Sequence, residues 1–398
     1  MKGTISLGLL IAALASPLFP AAWTDRGEYD LVLTIRAEAT AQTQVTLLDQ
    51  WKAKYPQSPL RQIRRELYLS AYQSMGDSER MLATAREMLT DQPDNPLGAY
   101  WCAVLLPGAK DASPDLWNTG EKAARQLLTG APESGEWQKQ KGSVELLARR
   151  ALAWIQWQRG DYGAAETEFT AYLQKDPANA EISAWYGMAL AAQKKPEKVV
   201  PALWQLARAG SLNGPGALPE VSKRQTAALA ERVYISYHGD TEGLEQLRAA
   251  AVAGALPPAD FRVESADAVA ARKADEELKR TNPQLALWMT MRKQLEGPAG
   301  EKYFAETLQP APLPKLKGTV IRCTPEAKPA EIVLGLSNGV TDEVLLKLSA
   351  PLTSGAAPGT EIEFEGSAEA YSRDPFRLTV ATDKTKITGW PEKPTGKR

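Results

Sequence analysis

The sequence has few of the residues on which metal and cysteine chemistry depend. Its 398 residues include one histidine, His238, and two cysteines, Cys102 and Cys323. A Ser-His-Asp triad needs a histidine base and most zinc sites use several His or Cys ligands, so this scarcity excludes most of these chemistries. Apolar neighbours flank each cysteine, and we expect buried free thiols. His238 follows a helix and precedes Gly239-Asp240, where we expect it to satisfy terminal helix carbonyls rather than to catalyse.

An excess of positive charge is also missing. Lysine and arginine number 47 and aspartate and glutamate 48, which gives a formal net charge of −1. Nucleic-acid-binding proteins normally carry a basic excess that neutralises phosphates, so nucleic acid is not an expected partner. The sequence has neither a G-x-x-x-x-G-K-[ST] loop nor a G-x-G-x-x-G turn after a strand. We therefore predict no cofactor and no resident metal.

The first 22 residues have the pattern of a secretory signal peptide. Met1-Lys2 precedes the apolar segment 5–14, which is too short for a membrane span of about 20 residues. Small residues follow, and we expect cleavage after Ala15 or Ala22. No later run reaches about 18 apolar residues, so the mature chain should have no transmembrane span and a periplasmic or secreted location. An uncleaved anchor or a buried N-terminal helix is the alternative interpretation.

Residues 148–179 form the clearest of several helix–turn–helix repeats. Apolar residues recur at helical spacing on both sides of the turn at Gly160-Asp161, and Pro177 ends the second helix because proline cannot continue it. The unit resembles the tetratricopeptide repeat, a 34-residue helix–turn–helix with small and aromatic signature residues and a final proline. The matching residues are Gly160, Asp161, Tyr162, Ala165, Phe169 and Pro177.

A second unit begins at Ala180, and its turn residue Lys195 lies one repeat length after Asp161. Its signature positions hold Gly187, Leu190, Val199 and Leu203. Looser units upstream end at helix-breaking prolines, namely Pro56, Pro93 and Pro132. We predict a mainly α fold in which residues 23–253 form a tetratricopeptide-like solenoid of about four to six helix pairs, and residues 254–309 form a helical cap. A plain helical bundle is the alternative.

The hydrophobic pattern changes from helical to alternating near residue 315. The proline-rich segment 310–314 is predicted to be an extended linker. Strand-like segments follow in residues 315–391, where strict alternation places Ile362 and Phe364 on a core face. We predict a small antiparallel β-barrel or sandwich there and a tail at residues 392–398. The strand number and lengths are compatible with an oligonucleotide/oligosaccharide-binding barrel, although no motif establishes one.

The repeat resemblance implies a function in protein binding. In the tetratricopeptide family the first helix of each pair lines a concave groove, and the corresponding groove residues here are Arg150, Trp154, Trp157, Glu181 and Met188. Tryptophan, methionine and arginine are enriched in binding interfaces. We expect a non-enzymatic scaffold of the bacterial cell envelope that binds a peptide segment of another envelope or secreted protein. The alternative is that Trp154 and Trp157 only fill the interface between hairpins. Other tryptophans have core-like helical spacing: Trp51, Trp101, Trp185 and Trp204.

Two other functions stay in consideration. Glycoside hydrolysis needs only two suitably spaced carboxylates, so a secreted carboxylate-dependent hydrolase is one of them. Its candidate residues are Glu361, Glu363 and Glu365 on one strand and Glu276-Glu277 on a charged helix. Solvated strand edges and surface ion pairs explain the same residues. The other function is saccharide or peptide binding by the β domain.

Overall fold

The computed structural model describes residues 23–110, 113–130 and 136–391. The expected signal peptide, residues 1–22, and the expected tail, residues 392–398, lie outside the described residues. The chain divides into two compact units, the first ending at Ala266 and the second beginning at Asp267. Among the helices of the described part, none has both the length and the apolar content that crossing a membrane requires.

The first unit consists mainly of α-helices that pack in chain order. They are α1 Arg26–Ala37, α2 Ala41–Lys54, α3 Arg61–Met75, α4 Ser78–Asp91, α5 Pro96–Leu105, α6 Pro114–Thr129, α7 Glu136–Lys139, α8 Lys141–Gln158, α9 Tyr162–Lys175, α10 Ala180–Ala192, α11 Pro196–Ser211, α12 Glu220–His238 and α13 Leu244–Ala253. Most helices contact the next one along the chain, α6 contacts α8, and α13 contacts α11. The buried side chains form successive clusters that join neighbouring helices in the same order.

Glycines and aspartates form the turns between paired helices. Gly160 has a φ of 78°, a left-handed conformation that ends α8, and the Asp161 carboxylate accepts a 3.2 Å hydrogen bond from the Ala164 amide at the start of α9. Gly76-Asp77 repeats this arrangement between α3 and α4, with a φ of 70° for the glycine and a 3.0 Å bond from the Arg80 amide. The turn predicted at Gly160-Asp161 is confirmed, and Gly76-Asp77 forms a second turn of the same kind.

A buried arginine on α11 fixes the end of α13. Arg208 is 3% exposed, and its NH1 group donates to the carbonyl oxygens of Ala251 at 2.6 Å, Val252 at 3.0 Å and Gly254 at 2.7 Å. Its NH2 group donates to the carbonyl of Pro177. The last carbonyls of a helix have no partner within the helix, so Arg208 satisfies them while it also binds the turn between α9 and α10.

The second unit carries three helices and a barrel within the described residues. Its elements are α14 Ala266–Thr281, α15 Pro283–Glu296, α16 Gly300–Tyr303, β1 Pro312–Thr324, β2 Glu331–Gly335, β3 Val344–Leu348, β4 Glu361–Arg373, β5 Phe376–Thr382 and β6 Ile387–Thr388. The sheet closes in the order β1-β2-β3-β5-β4 because β1 also pairs with β4. β3 and β5 pair in parallel, the other neighbours pair antiparallel, and β6 adds to β4. Of the two predicted forms, the fold is therefore a closed barrel, with one extra strand. The expectation that all strands pair antiparallel is wrong for β3 and β5, which run parallel.

Apolar side chains fill the interior of the barrel. Ile362 and Phe364 are buried and Glu361 is exposed, as the alternation along β4 predicts. Helix α15 belongs to the same core, because Trp288 is fully buried there and its ring centre lies 5.9 Å from that of Phe376.

Two segments differ from their expected places. β1 begins at Pro312, so residues 312–314 of the expected linker lie in a strand, where Pro312 and Leu313 pair with β4 and Leu313 is buried. The extended backbone that proline favours is close to strand geometry, which is why the proline-rich composition did not reveal the strand. Helices α14, α15 and α16 lie in segment 254–309, the expected cap of the array, but they belong to the second unit. α15 belongs to the second unit because its apolar face is buried in the barrel core.

A buried carboxylate connects α15 to the segment between β2 and β3. Glu343 is 0% exposed, and one of its oxygens accepts hydrogen bonds from the amides of Leu336 and Ser337, both at 2.7 Å. The other oxygen accepts from the Ser337 hydroxyl at 2.5 Å and from Arg292 at 2.6 Å. Burial alone raises the pKa of this carboxyl, but the bonds from Ser337 and Leu336 and the charge of Arg292 hold the pKa below its ordinary value.

We expect Glu343→Gln to destabilise the barrel by about 2–3 kcal/mol, because the amide NH₂ cannot accept these bonds and Arg292 loses its countercharge. Since the folded-state pKa is lowered, the contribution of the carboxylate is complete above the pKa of an unfolded glutamate, about 4.3, and is lost as the pH falls through the folded pKa. The difference between wild type and variant should therefore shrink on acidification. Hydrogen exchange of the β2 and β3 amides measures both effects.

Glu361→Gln is the matched control. The Glu361 side chain is 65% exposed and pairs with Lys317 at 2.8 Å on the surface, so its loss should change the stability by less than about 0.5 kcal/mol. Equal destabilisation by the two variants would contradict the assigned role of Glu343.

Candidate functional site on the helical unit

Helices α8 and α10 carry all the residues that the sequence analysis assigned to a binding groove. Arg150, Trp154 and Trp157 lie on α8, and Glu181 and Met188 lie on α10. Each helix is the first of a pair, since α8 packs against α9 and α10 packs against α11. The five residues differ in burial and in the cluster against which they pack.

Arg150 lies between a carboxylate and an aromatic ring. Its Nε donates a 3.0 Å hydrogen bond to Oε2 of Glu181, and its guanidinium carbon lies 4.8 Å from the centre of the Trp185 ring. Glu181 and Trp185 face the same side of α10 because they are one helical turn apart. The side chain of Arg150 is 22% exposed and that of Glu181 is 44% exposed. A binding partner can therefore reach both charges.

The two tryptophans of α8 have different surroundings. Trp154 is only 9% exposed and belongs to a hydrophobic cluster with Leu106, Leu116 and Ile155. Trp157 is half-buried and packs against the edge of the same cluster. Trp154 thus lies where the alternative interpretation would place it, since its indole is covered by side chains of its own unit. Trp157 keeps part of its ring accessible.

Trp185 is the residue of this surface that the sequence analysis missed. It was expected in the core, but it is half-buried, packs at the edge of the Trp154 cluster and lies beneath Arg150. Its spacing of one turn from Glu181 was the available signal. Met188 packs instead against a cluster around Trp204. We call the set of Arg150, Trp157, Glu181 and Trp185 the α8–α10 surface.

A cleft of about 280 Å³ lies nearby, between α9, α10 and α11. Glu166 at its wall accepts hydrogen bonds from Gln193 at 2.6 Å and from Lys198 at 2.8 Å, so both of its oxygens are engaged. Gln205 is 1% exposed and donates to the Ala255 carbonyl at 2.8 Å. Within the described residues its Oε1 has no hydrogen-bond partner. The cleft thus offers one buried acceptor beside an ion pair.

The candidate carboxylates of a hydrolase lie in ordinary surface pairs. Glu363 accepts hydrogen bonds from Gln284 and Thr388 and lies 3.3 Å from the Lys315 ammonium. These contacts, led by the bond from Gln284, lower the pKa of Glu363. On α14, Glu277 pairs with Arg280 at 2.6 Å. A general acid needs a raised pKa, whereas the pKa of Glu363 is lowered.

No protein-family model, curated protein or solved structure matches this chain. The resemblance to the tetratricopeptide repeat therefore rests on the signature residues of the chain itself. Ala165 and Phe169 are fully buried on α9, Gly160 has the positive φ that its turn needs, and Pro177 directly follows the residue that caps α9. These four signature residues thus have structural roles in their helix pair.

Replacement of the buried tryptophan should cost more than replacement of the accessible one. We expect Trp154→Ala to lower the free energy of unfolding by about 3–5 kcal/mol, because removing a buried indole leaves a cavity. Trp185→Ala removes a ring that is already partly in water and should cost about 1–2 kcal/mol. Urea unfolding of the two variants, followed by far-UV circular dichroism, measures the difference. A larger loss in Trp185→Ala would show that the two burial assignments are reversed.

Proposed function

We propose that the helical unit is a tetratricopeptide-like solenoid that acts as a non-enzymatic scaffold and binds a peptide segment of another protein. The observation that carries this proposal is the α8–α10 surface, where an arginine–glutamate pair adjoins two half-buried tryptophans. Arginine and tryptophan dominate the energetics of protein–protein interfaces because they combine large contact areas with directed hydrogen bonds.

The contacts of Arg150 indicate what kind of segment would bind. Glu181 engages Nε of the guanidinium, so we assign the NH1 and NH2 groups as the donors to the ligand. A carboxylate can bind such a guanidinium edge in a bidentate manner. Trp157 and Trp185 are partly buried against one hydrophobic cluster, and their remaining ring surface is apolar. The preferred ligand is therefore a peptide with an acidic residue next to an apolar or aromatic one.

The place of binding is proposed to be the bacterial cell envelope. This part of the proposal is supported by the signal-peptide pattern of residues 1–22, which predicts a periplasmic or secreted protein. The partner is accordingly an envelope or secreted protein. A ligand of the barrel stays an alternative, but the barrel interior is filled by side chains such as Phe364 and Leu378, so that ligand would have to bind outside it.

Photo-crosslinking in the native envelope tests the proposal. A benzophenone side chain at position 157 or 185 should crosslink to the same partner, identified by mass spectrometry. The double variant Arg150→Ala, Trp157→Ala should reduce recovery of that partner at least about tenfold, the loss expected when two hot-spot residues are removed.

Arg149→Ala is the matched control for Arg150. Arg149 is the adjacent residue on α8, but it pairs with Glu145 at 3.1 Å and Glu168 at 2.8 Å instead of Glu181. Its replacement should leave partner recovery unchanged. Equal recovery with the double variant and with wild type would overturn the proposal, as would a loss of recovery that Arg149→Ala produces equally.

A further inference from the structure

The chain's single histidine is buried at the end of α12 with one ring nitrogen fixed. His238 is 5% exposed, and its ring centre lies 5.0 Å from that of Tyr234. Nδ1 lies 2.9 Å from the backbone oxygen of Glu264. A carbonyl oxygen only accepts hydrogen bonds, so this contact assigns the proton to Nδ1. Nε2 of the neutral ring therefore presents its lone pair. This bond leads to a distant segment rather than to the terminal carbonyls of α12, which was the expected role.

Nε2 of His238 lies close to two carboxylates. Within the described residues Nε2 has no hydrogen-bond partner, and it lies 3.4 Å from Oδ1 of Asp240. One ligand atom from each of His238, Asp240 and Glu242 lies within 4.8 Å of the other two. Two atoms that both carry lone pairs repel each other at this distance unless a cation or a proton lies between them.

The distance between Nε2 of His238 and Oδ1 of Asp240 is the one expected between two ligand atoms of the same metal ion. Tetrahedral zinc with bonds of about 2.0–2.1 Å places adjacent ligand atoms about 3.3–3.4 Å apart. The 3.4 Å between Nε2 and Oδ1 agrees with this separation of ligand atoms. The ligand oxygen of Glu242, whose side chain is exposed, lies within 4.8 Å of the other two ligand atoms. The bond from Nδ1 to the Glu264 carbonyl is the outer contact that orients most metal-binding histidines.

The backbone of the turn that carries His238, Asp240 and Glu242 is held in place by two left-handed glycines and by hydrogen bonds. Gly239 and Gly243 have positive φ values of 100° and 82°, and a Cβ on Gly243 would lie 2.7 Å from the Tyr234 hydroxyl oxygen. That hydroxyl donates to the backbone oxygen of Glu242 at 2.5 Å. The Glu242 amide donates to Oδ1 of Asp240 at 2.9 Å. Little backbone rearrangement is therefore needed to bring the ligand atoms together.

We propose that His238, Asp240 and Glu242 bind a first-row divalent transition metal, with Zn²⁺ as the best match. One imidazole nitrogen and two carboxylate oxygens supply three ligands, and a fourth position is left for water. The imidazole disfavours Ca²⁺ and Mg²⁺, which prefer oxygen ligands only. Cys102 and Cys323 do not compete for the metal, because both thiols are buried and burial raises the pKa of Cys102 to about 12.

Metal binding to the full-length chain tests the proposal. After treatment with a chelator, isothermal titration with Zn²⁺ should give one ion per chain, and Co²⁺ should give the d–d absorption of a four- or five-coordinate site. Because the chain has one histidine, Nε2 has a single ¹⁵N resonance, which Zn²⁺ should shift while Ca²⁺ does not.

Two variants remove ligands but keep local hydrogen bonds. Asp240→Asn keeps an oxygen that accepts from the Glu242 amide, and His238→Asn keeps a side-chain N–H for the Glu264 carbonyl. Each should weaken Zn²⁺ binding at least about tenfold. Glu245→Gln is the control, because Glu245 is exposed in the next helix and pairs with Arg248 outside the cluster; it should bind like wild type.

The result that overturns the proposal is equally specific. If wild type binds no Zn²⁺ stoichiometrically, or if Zn²⁺ leaves the Nε2 resonance in place, a proton rather than a metal lies between His238 and Asp240. Equal Zn²⁺ affinity of wild type and a folded Asp240→Asn variant, with folding checked by circular dichroism, would overturn it as well.

Discussion

A helix pair with apolar residues on both of its faces must be covered by neighbouring helices, and the first unit is organised around this requirement. Trp51 in α2, Phe169 in α9 and Trp204 in α11 are each at most 2% exposed. Helices that are adjacent in the chain supply the cover. Trp157 and Trp185 are as large as these core residues but are only half-buried. Packing within the unit does not account for their whole surface, which is the physical basis for regarding them as contacts to a partner.

Local signals predicted the turn between α8 and α9 and the core face of β4. The Gly160-Asp161 turn depends on a left-handed glycine and a capping carboxylate, and the alternation in β4 directly encodes which side chains face the core. Long-range contacts leave no such signal. The sequence around Arg208 does not indicate that this residue binds the carbonyls of Ala251 and Gly254. Likewise, the helical spacing of apolar residues in α15 is the same whether Trp288 packs in a helical array or in a barrel.

The α8–α10 surface shows the same difference between local and long-range signals. The sequence places Arg150, Glu181 and the tryptophans of α8 in helices, and the structure places them in α8 and α10. The sequence cannot rank the exposure of these side chains. Nearly every residue of α10 is apolar or small, so the hydrophobic pattern does not distinguish a buried face from an exposed one. Trp185 was therefore expected in the core and Trp154 in the groove, whereas the cover from Leu106 and Leu116 reverses their burial.

Glu343 and His238 are buried polar residues that differ in how completely their polar atoms are hydrogen-bonded. All four hydrogen bonds of Glu343 are made to groups within its own unit, so its chemistry is complete and its role is structural. His238 has one nitrogen satisfied by Glu264, and the other lies 3.4 Å from Asp240 without a hydrogen-bond partner among the described residues. Counting histidines and cysteines argues against a metal here, but that count ignores carboxylate ligands, and a single histidine suffices when a fixed turn brings two carboxylates to it. Burying a nitrogen without a hydrogen-bond partner is costly, and the metal ion proposed for this site would complete it.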